Sequence, residues 1–312
     1  MKSVFLDKYS ICGRDTSAIA ALCDHYTEYD YTLPAEVIER CKDADIVITN
    51  KVYIGAETMD ALPSLKLICI AATGMNNVDL EAAAQRGIEV RNAVGYSTYS
   101  VAETTLCCAL ALFREVVYYD NYFKSGAYSA SGRMFNFDRP TAQIRGKNWG
   151  IIGMGNIGRE VARLATAFGC DVRYFPTSGV IREEDYPADE LDRLLAWADI
   201  VSVHCPLNAH TKGLIGCREL RMMKPSSVLI NVARGGIVDE AALAEALDGS
   251  IIRGAALDVF TSEPLDPQSP LLHLKEPHSL LASPHNAWST VEAIDRLVEC
   301  IKNNIDEFIK RQ

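Results

Sequence analysis

Short runs rich in Val and Ile alternate along the whole chain with stretches whose apolar residues recur every three or four positions. That alternation predicts βαβ units wound into parallel sheets, because parallel strands need helical crossovers and bury both faces. Two series separate. The first has predicted strands at 4–6, 45–49, 65–71 and 88–91 and helices at 34–41 and 79–86, with Pro34 suited to a first helical position. The second opens on a strand at 148–152 and continues through strands at 171–175, 200–204, 228–232, 254–259 and 280–282. Between them, 101–119 reads as one long apolar helix joining two domains, with Glu103 early and Lys124 near its end as the helix dipole prefers. Residues 125–143 read as a long ordered loop, and 290–310 as an amphipathic helix with Ile294, Leu297, Val298, Ile301 and Ile305 on one face. There is no internal repeat.

A length of 312 residues agrees with two domains. Lys and Arg number 31 against 41 Asp and Glu, a net charge of −10, so no basic field exists to attract nucleic acid or anionic lipid. No apolar run approaches the roughly 18 residues of a membrane span. The ten cysteines form no CxxC pair and read as buried free thiols, which fits a reducing cytoplasm.

Gly153-Met154-Gly155-Asn156-Ile157-Gly158 follows an apolar strand directly and opens an amphipathic helix with Val161, Leu164 and Ala165. In that context GxGxxG predicts dinucleotide binding: the first glycine makes the turn, the second admits the pyrophosphate, and the third lets helix pack on strand. The helix N-terminus then faces the negative charge. The carboxylate expected some 20 residues on for a ribose is missing, since the second strand ends Tyr174-Phe175-Pro176-Thr177-Ser178. Asp171 stands at the wrong end of that strand and reads as a solvated surface residue. Without a carboxylate at Pro176 a 2′-phosphate is not repelled, and Thr177 and Ser178 could donate to it, so NAD and NADP both remain open.

Three later stretches stand at predicted strand ends: Asn231 to Gly236 with Arg234, Ala256 to Pro264 with Asp258 and Glu263, and Ser283 to Trp288 with His285. An Arg, an acid and a His beside a nicotinamide suit reduction of a 2-oxo acid, where imidazolium gives a proton to the carbonyl oxygen as hydride reaches its carbon. The acid stabilises and orients the charged ring, and Arg holds the substrate carboxylate through its fork of donors. Taken alone, each has an ordinary reading: a satisfied loop histidine, a surface acid before Pro264, a helix-capping or phosphate-contacting Arg. His204 and His210 read as cofactor-loop or surface residues, His25, His273 and His278 as solvent-facing, and no metal site is predicted.

With these motifs, and with the turn His204-Cys205-Pro206-Leu207, the chain resembles the D-2-hydroxyacid dehydrogenase family over essentially its full length. The resemblance implies two Rossmann-like or flavodoxin-like α/β domains with doubly wound parallel sheets and a cleft between them whose closure excludes water. It also implies a discontinuous substrate-binding domain of 1–98 plus 290–312 and a dinucleotide-binding domain of 99–289. Arg234, Glu263 and His285 become the catalytic residues. Implied cofactor contacts are Gly153, Gly155, Asn156, Ile157, Gly158, Thr177, His204, Cys205, Pro206, Thr211, Val232, Ala233, Arg234, Asp258 at the carboxamide, His285 and Ala287, with Val101, Ala102 and Glu103 bordering the cofactor. Implied substrate contacts are Asn50, Lys51, Ala72, Thr73, Gly74, Arg234, His285 and Trp288. Within the family the chain is most similar to glycerate dehydrogenases, also called hydroxypyruvate reductases, by Thr49-Asn50-Lys51 and His285-Asn286-Ala287-Trp288; an Arg usual six residues after the Trp is replaced here by Ile294. The resemblance further implies a homodimer, with 131–137 lining the site or reaching a partner subunit. The same fold occurs in NAD-sensing corepressors and in short phosphoglycerate dehydrogenases, which stand as alternatives. The chain begins at its first strand and stops at its last helix, which favours the enzyme.

Overall fold

Uninterrupted apolar runs become central strands here because each is covered on both faces. A computed structural model describes residues 1–181 and 185–312. The chain divides into two units, Met1–Ser97 with Ser289–Gln312, and Thr98–Trp288.

The first unit holds β1 (Lys2–Phe5), α1 (Ser17–Ala20), β2 (His25–Glu28), α2 (Val37–Cys41), β3 (Ile46–Thr49), α3 (Ala56–Asp60), β4 (Leu67–Ile70), α4 (Leu80–Gln85) and β5 (Glu89–Asn92). Its sheet is parallel, in the order β2-β1-β3-β4-β5, so the direction of winding reverses between β1 and β3. Every residue of β3 and β4 is buried, as parallel pairing under two helical layers requires. Strand β2 escapes the sequence reading: His25-Tyr26-Thr27-Glu28 is a polar, half-exposed edge strand with no apolar alternation.

The second unit holds α5 (Thr98–Arg114), α6 (Val116–Lys124), α7 (Ala127–Ser131), β6 (Asn148–Ile152), α8 (Asn156–Ala167), β7 (Asp171–Phe175), α9 (Leu191–Trp197), β8 (Ile200–Val203), α10 (Cys217–Met222), β9 (Val228–Asn231), α11 (Glu240–Asp248), β10 (Gly254–Leu257) and β11 (Leu280–Ala282). Its parallel order is β11-β10-β9-β8-β6-β7, with the reversal between β6 and β8. Ala188 adds a single parallel bridge to Tyr174 outside β7. Counted as a third strand reduced to one residue, it gives the dinucleotide-binding order 3-2-1-4-5-6 with β11 added as a seventh strand beyond β10. One core layer packs α5 and α8 on Trp149, Ile151, Ile200 and Ile230; the other packs α9, α10 and α11 on Ile152, Val201, Val203 and Leu229. The chain then returns to the first unit as α12 (Val291–Ile309), which buries Ile294, Leu297, Ile301, Ile305 and Phe308, each burial contributing about 1.5–3 kcal/mol; Val298 is only half-buried.

Three expectations change. The helix at 101–119 is two helices broken at Glu115, whose φ of 52° is left-handed. No Pro or Gly marks the break; the Glu115 carboxylate is drawn to Arg253 at 3.0 Å and Arg139 at 3.5 Å, a tertiary effect. The stretch 125–143 is not all loop, since α7 lies within it between Gly126 and Gly132, both at positive φ. The cysteines are not uniformly buried: Cys41, Cys69, Cys170 and Cys205 are, but Cys12, Cys107 and Cys217 are exposed. Burial pushes the Cys41 and Cys69 thiols up to about 12 and those of Cys170 and Cys205 up to about 11. A thiol reagent at pH 8 should therefore label Cys12, Cys107 and Cys217 first, with these four protected until denaturant is added; peptide mapping checks the order. Early labelling of Cys69 or Cys205 would contradict the packing.

Candidate functional site

The chemistry-bearing residues of the second unit lie just past the carboxyl ends of its strands. Strands β8 and β10 stop at Val203 and Leu257, short of their predicted ends, which leaves His204 and Asp258 as the first residues outside the sheet. Beyond β11, the segment 283–288 is built around Asp258. That carboxylate is buried and accepts the Ser283 hydroxyl at 2.6 Å, the Asn286 N–H at 2.9 Å and the Ala287 N–H at 3.0 Å. Its backbone carbonyl accepts the His285 N–H at 2.8 Å. The Trp288 indole N–H returns to the His285 carbonyl at 2.9 Å, and the Ser100 hydroxyl donates to the Ala287 carbonyl at 2.5 Å. Such a web holds His285 at φ 54°, a conformation a non-glycine residue adopts only when its surroundings enforce it. Three of about four acceptor positions on Asp258 are thus spent on the loop, leaving one on Oδ2. The loop-building role was not visible in the sequence, where Asp258 was a carboxamide contact by resemblance.

His285 Nδ1 lies 2.6 Å from Glu263 Oε2, while Glu263 Oε1 accepts the Phe260 N–H at 2.9 Å. The carboxylate is thereby fixed by its own loop and fixes the ring in turn; donation from Nδ1 leaves Nε2 for a reacting group. Arg234 is half-buried, and its guanidinium donates to the Ala233 carbonyl at 2.6 Å. Buried Asn231 bridges this turn, accepting the Ala233 N–H at 3.1 Å and donating to the Arg234 carbonyl at 2.9 Å. A methyl group on Gly235 would enter the Phe260 carbonyl, so the Arg234 turn and the loop leading to Glu263 touch backbone to backbone. Glu263 and His285 come together, and Arg234 stands past the end of the neighbouring strand β9.

The glycines of the motif divide by role. Gly153 turns at φ 94°, and a Cβ there would lie 2.8 Å from Cys205 Cβ; one on Gly158 would strike the Gly153 carbonyl. A Cβ on Gly155 would meet nothing within 4 Å. Gly155 is also the N-cap of α8 and supplies no side chain to its first N–H groups, with Asn156 and Ile157 in the first turn. An open space over uncapped amide donors at a helix N-terminus fits a dinucleotide pyrophosphate. Pro176 directly follows β7 and Asp171 is exposed at the other end; Thr177 is half-buried and Ser178 exposed in the turn closed by the Gly179 N–H on the Pro176 carbonyl at 2.8 Å. Thr211, fully buried, closes the 206–211 turn by donating to the Pro206 carbonyl at 2.6 Å. Val101, Ala102, Val232 and Ala287 are buried in the same core layer, and Glu103 is exposed.

His204 departs from the surface reading. Its two ring nitrogens are buried with no hydrogen-bond partner among the described residues, and burial drives its pKa down to about 3. Burial thus favours the neutral ring. His25, His210 and His273 are exposed, whereas His278 is half-buried with its ring edge-on to Tyr118. Among the described residues no group of three His, Cys, Asp or Glu is placed to hold a metal ion, and no helix is long and apolar enough to cross a membrane.

In the first unit, Asn50 and Lys51 follow β3, and Ala72, Thr73 and Gly74 follow β4. Thr73 Oγ1 donates to the Ala93 carbonyl at 2.9 Å, and Asn92 Nδ2 to the Thr73 carbonyl at 2.6 Å, which pins that turn.

Residues 106–287 match the family described as D-isomer specific 2-hydroxyacid dehydrogenase, NAD binding domain. A Haemophilus influenzae protein named as a 2-hydroxyacid dehydrogenase is 41% identical over 100% of this chain and 99% of its own. The chain belongs to the D-isomer specific 2-hydroxyacid dehydrogenase family. The glycerate dehydrogenase of Methylorubrum extorquens is 38% identical over 99% of this chain and 96% of its own. Among solved structures, an NADPH-dependent glyoxylate/hydroxypyruvate reductase of Sinorhizobium meliloti, in complex with NADP and malonate, matches with a TM-score of 0.85 at 27% identity, over 99% of this chain and 93% of that one. As a member of this family, the protein is a nicotinamide-dependent oxidoreductase.

Proposed function

We propose that the protein interconverts a small 2-oxo acid and its D-2-hydroxy acid, with hydroxypyruvate and glyoxylate as the foremost substrates and NAD(H) or NADP(H) as cofactor. The observation that carries this reading is the Glu263–His285 pair, 2.6 Å apart, with Arg234 on the neighbouring strand end of the sheet that also bears the glycine cradle. Gly155 and the first turn of α8 would hold the cofactor's pyrophosphate, and a reduced nicotinamide would supply the hydride that reduces the carbonyl carbon. His285 delivers a proton from Nε2 to the carbonyl oxygen, so that hydride and proton together make the hydroxyl. Glu263 keeps the ring in register and balances its charge, and Arg234 holds the substrate carboxylate. In the oxidative direction His285 takes the proton back. From the first unit, Asn50, Lys51, Ala72, Thr73 and Gly74 are the proposed substrate contacts. The names of the relatives support the substrate class. We further read the protein as a homodimer of a reducing, cytoplasmic compartment: Phe123, Met134, Phe135 and Phe137 leave an apolar surface on the second unit, and no cysteine is paired.

Absorbance at the reduced nicotinamide band, followed with NADH and separately NADPH against a panel of 2-oxo acids, tests this reading. Rapid oxidation with hydroxypyruvate or glyoxylate is expected, and absence of turnover despite cofactor binding would defeat it. Pro176→Asp should lower kcat/KM with NADPH by about tenfold while sparing NADH, because a carboxylate at that strand end accepts from a 2′-hydroxyl and repels a 2′-phosphate. An unchanged preference would mean that the ribose is read elsewhere.

A further inference from the structure

Asp7 lies two residues past β1, where the winding of the first sheet reverses, and its carboxylate crosses to the turn that follows β3. Oδ1 accepts the Asn50 N–H at 2.8 Å; Oδ2 accepts the Lys51 N–H at 2.6 Å and faces the Thr49 hydroxyl at 3.3 Å. The turn is tightened by the Val52 N–H on Thr49 Oγ1 at 3.0 Å, and by Asn77 Nδ2 on the Val52 carbonyl at 3.1 Å. Asn50 is 4% exposed, and its Oδ1 is buried without a hydrogen-bond partner among the described residues. Two features on this side of the sheet therefore cost free energy: a carboxylate whose burial raises its pKa against the pull of its own hydrogen bonds, and an unsatisfied carboxamide oxygen. Neither is explained by stability alone. Both stand outside the carboxyl ends of β1 and β3, where open α/β sheets bind ligands.

We propose that Asp7 is a positioning residue for the 2-oxo acid: it clamps the turn 49–52 so that the Asn50 carboxamide is held ready to hydrogen-bond a polar group of the substrate. The assignment rests on the reductase reading above. A carboxylate suits the task because every group it faces in the turn is a donor, and an amide in its place would turn its own N–H groups on some of them. Asp7 touches no reacting atom, so its loss should weaken substrate binding and spare the chemical step.

The test is Asp7→Asn in the full chain, with two readouts. Hydrogen exchange followed by mass spectrometry should show the amides of 49–52 exchanging at least about tenfold faster, with the peptides of the second unit unchanged. In steady-state assays KM for hydroxypyruvate should rise about tenfold while kcat stays within about twofold, and the Kd for NADH, from its fluorescence, should not move. Unchanged exchange at 49–52, an unchanged KM, or a fall in kcat at constant KM would each overturn the proposal. Should Asp7→Asn not fold, Thr49→Val removes both the hydroxyl facing the carboxylate and the acceptor of the Val52 N–H, so it loosens the same turn, and a KM rise of about threefold decides the matter in the same way. No turnover by the unsubstituted protein would sink the reductase reading itself, a result separable from the exchange comparison, which needs no activity.

Discussion

His285→Ala should lower kcat by on the order of 10²–10⁴-fold, the range in which a positioned general acid contributes, while the Kd for NADH and the melting temperature stay near those of the unsubstituted protein. The sparing of the fold follows from the structure. The side chain is about a quarter exposed, and the loop carrying it is held by its backbone and by Asp258 rather than by the ring. Glu263→Gln should give an intermediate loss, about ten- to a hundredfold, because an amide oxygen still accepts from Nδ1 but does not balance the charge of the ring as it donates. Stopped-flow measurement of the hydride step separates these effects from product release. Turnover of His285→Ala within about tenfold of the unsubstituted protein would remove it as the proton donor.

The second large effect is a contrast between two glycines three residues apart. Gly155→Val places a branched side chain in the space over the N-terminus of α8, where a Cβ meets nothing in the protein. The fold should tolerate it, with a melting temperature within about 2 °C, but the Kd for NADH and NADPH should rise by about a hundredfold or more as the pyrophosphate loses its approach to the amides. Gly158→Ala adds only a methyl, yet that methyl strikes the Gly153 carbonyl and must push α8 from β6. Overpacking of this kind costs about 1–3 kcal/mol, and at about 2–4 °C per kcal/mol for a protein of this size the melting temperature should drop by several degrees. Calorimetry and fluorescence titration of the two variants are a matched pair. If Gly155→Val bound cofactor normally, the cradle would not be the phosphate site.

The parts of this molecule legible in the sequence are those whose physics is local. The motif that turns β6 into α8 spans six residues, Gly153 to Gly158, and its glycines announce both the turn and the missing Cβ. The fully buried β3, β4, β8 and β9 show as predominantly apolar runs, with Ser202 inside β8 and Thr49 and Asn231 at the ends of β3 and β9, because two helical layers cover them. The helix α12 shows through its 3.6-residue periodicity. Edge strand β2 did not show, since half-exposed pairing selects no apolar pattern.

What the tertiary structure alone decided is whatever joins groups far apart along the chain. Glu263 and His285 are 22 residues apart, Asp258 and the Ala287 amide 29, and Asp7 and the Asn50 amide 43. No motif in the sequence marks Asp7. The break at Glu115 and the left-handed backbone at His285 have the same origin, because neither residue favours that conformation by itself and each is held there by partners from other strands and loops. Sequence thus determined the two series of βαβ units and which residue types could do nicotinamide chemistry, since hydrophobic periodicity and glycine geometry act over a few residues. The positions of those residues against one another were decided by the sheets, whose parallel order brings distant strand ends side by side.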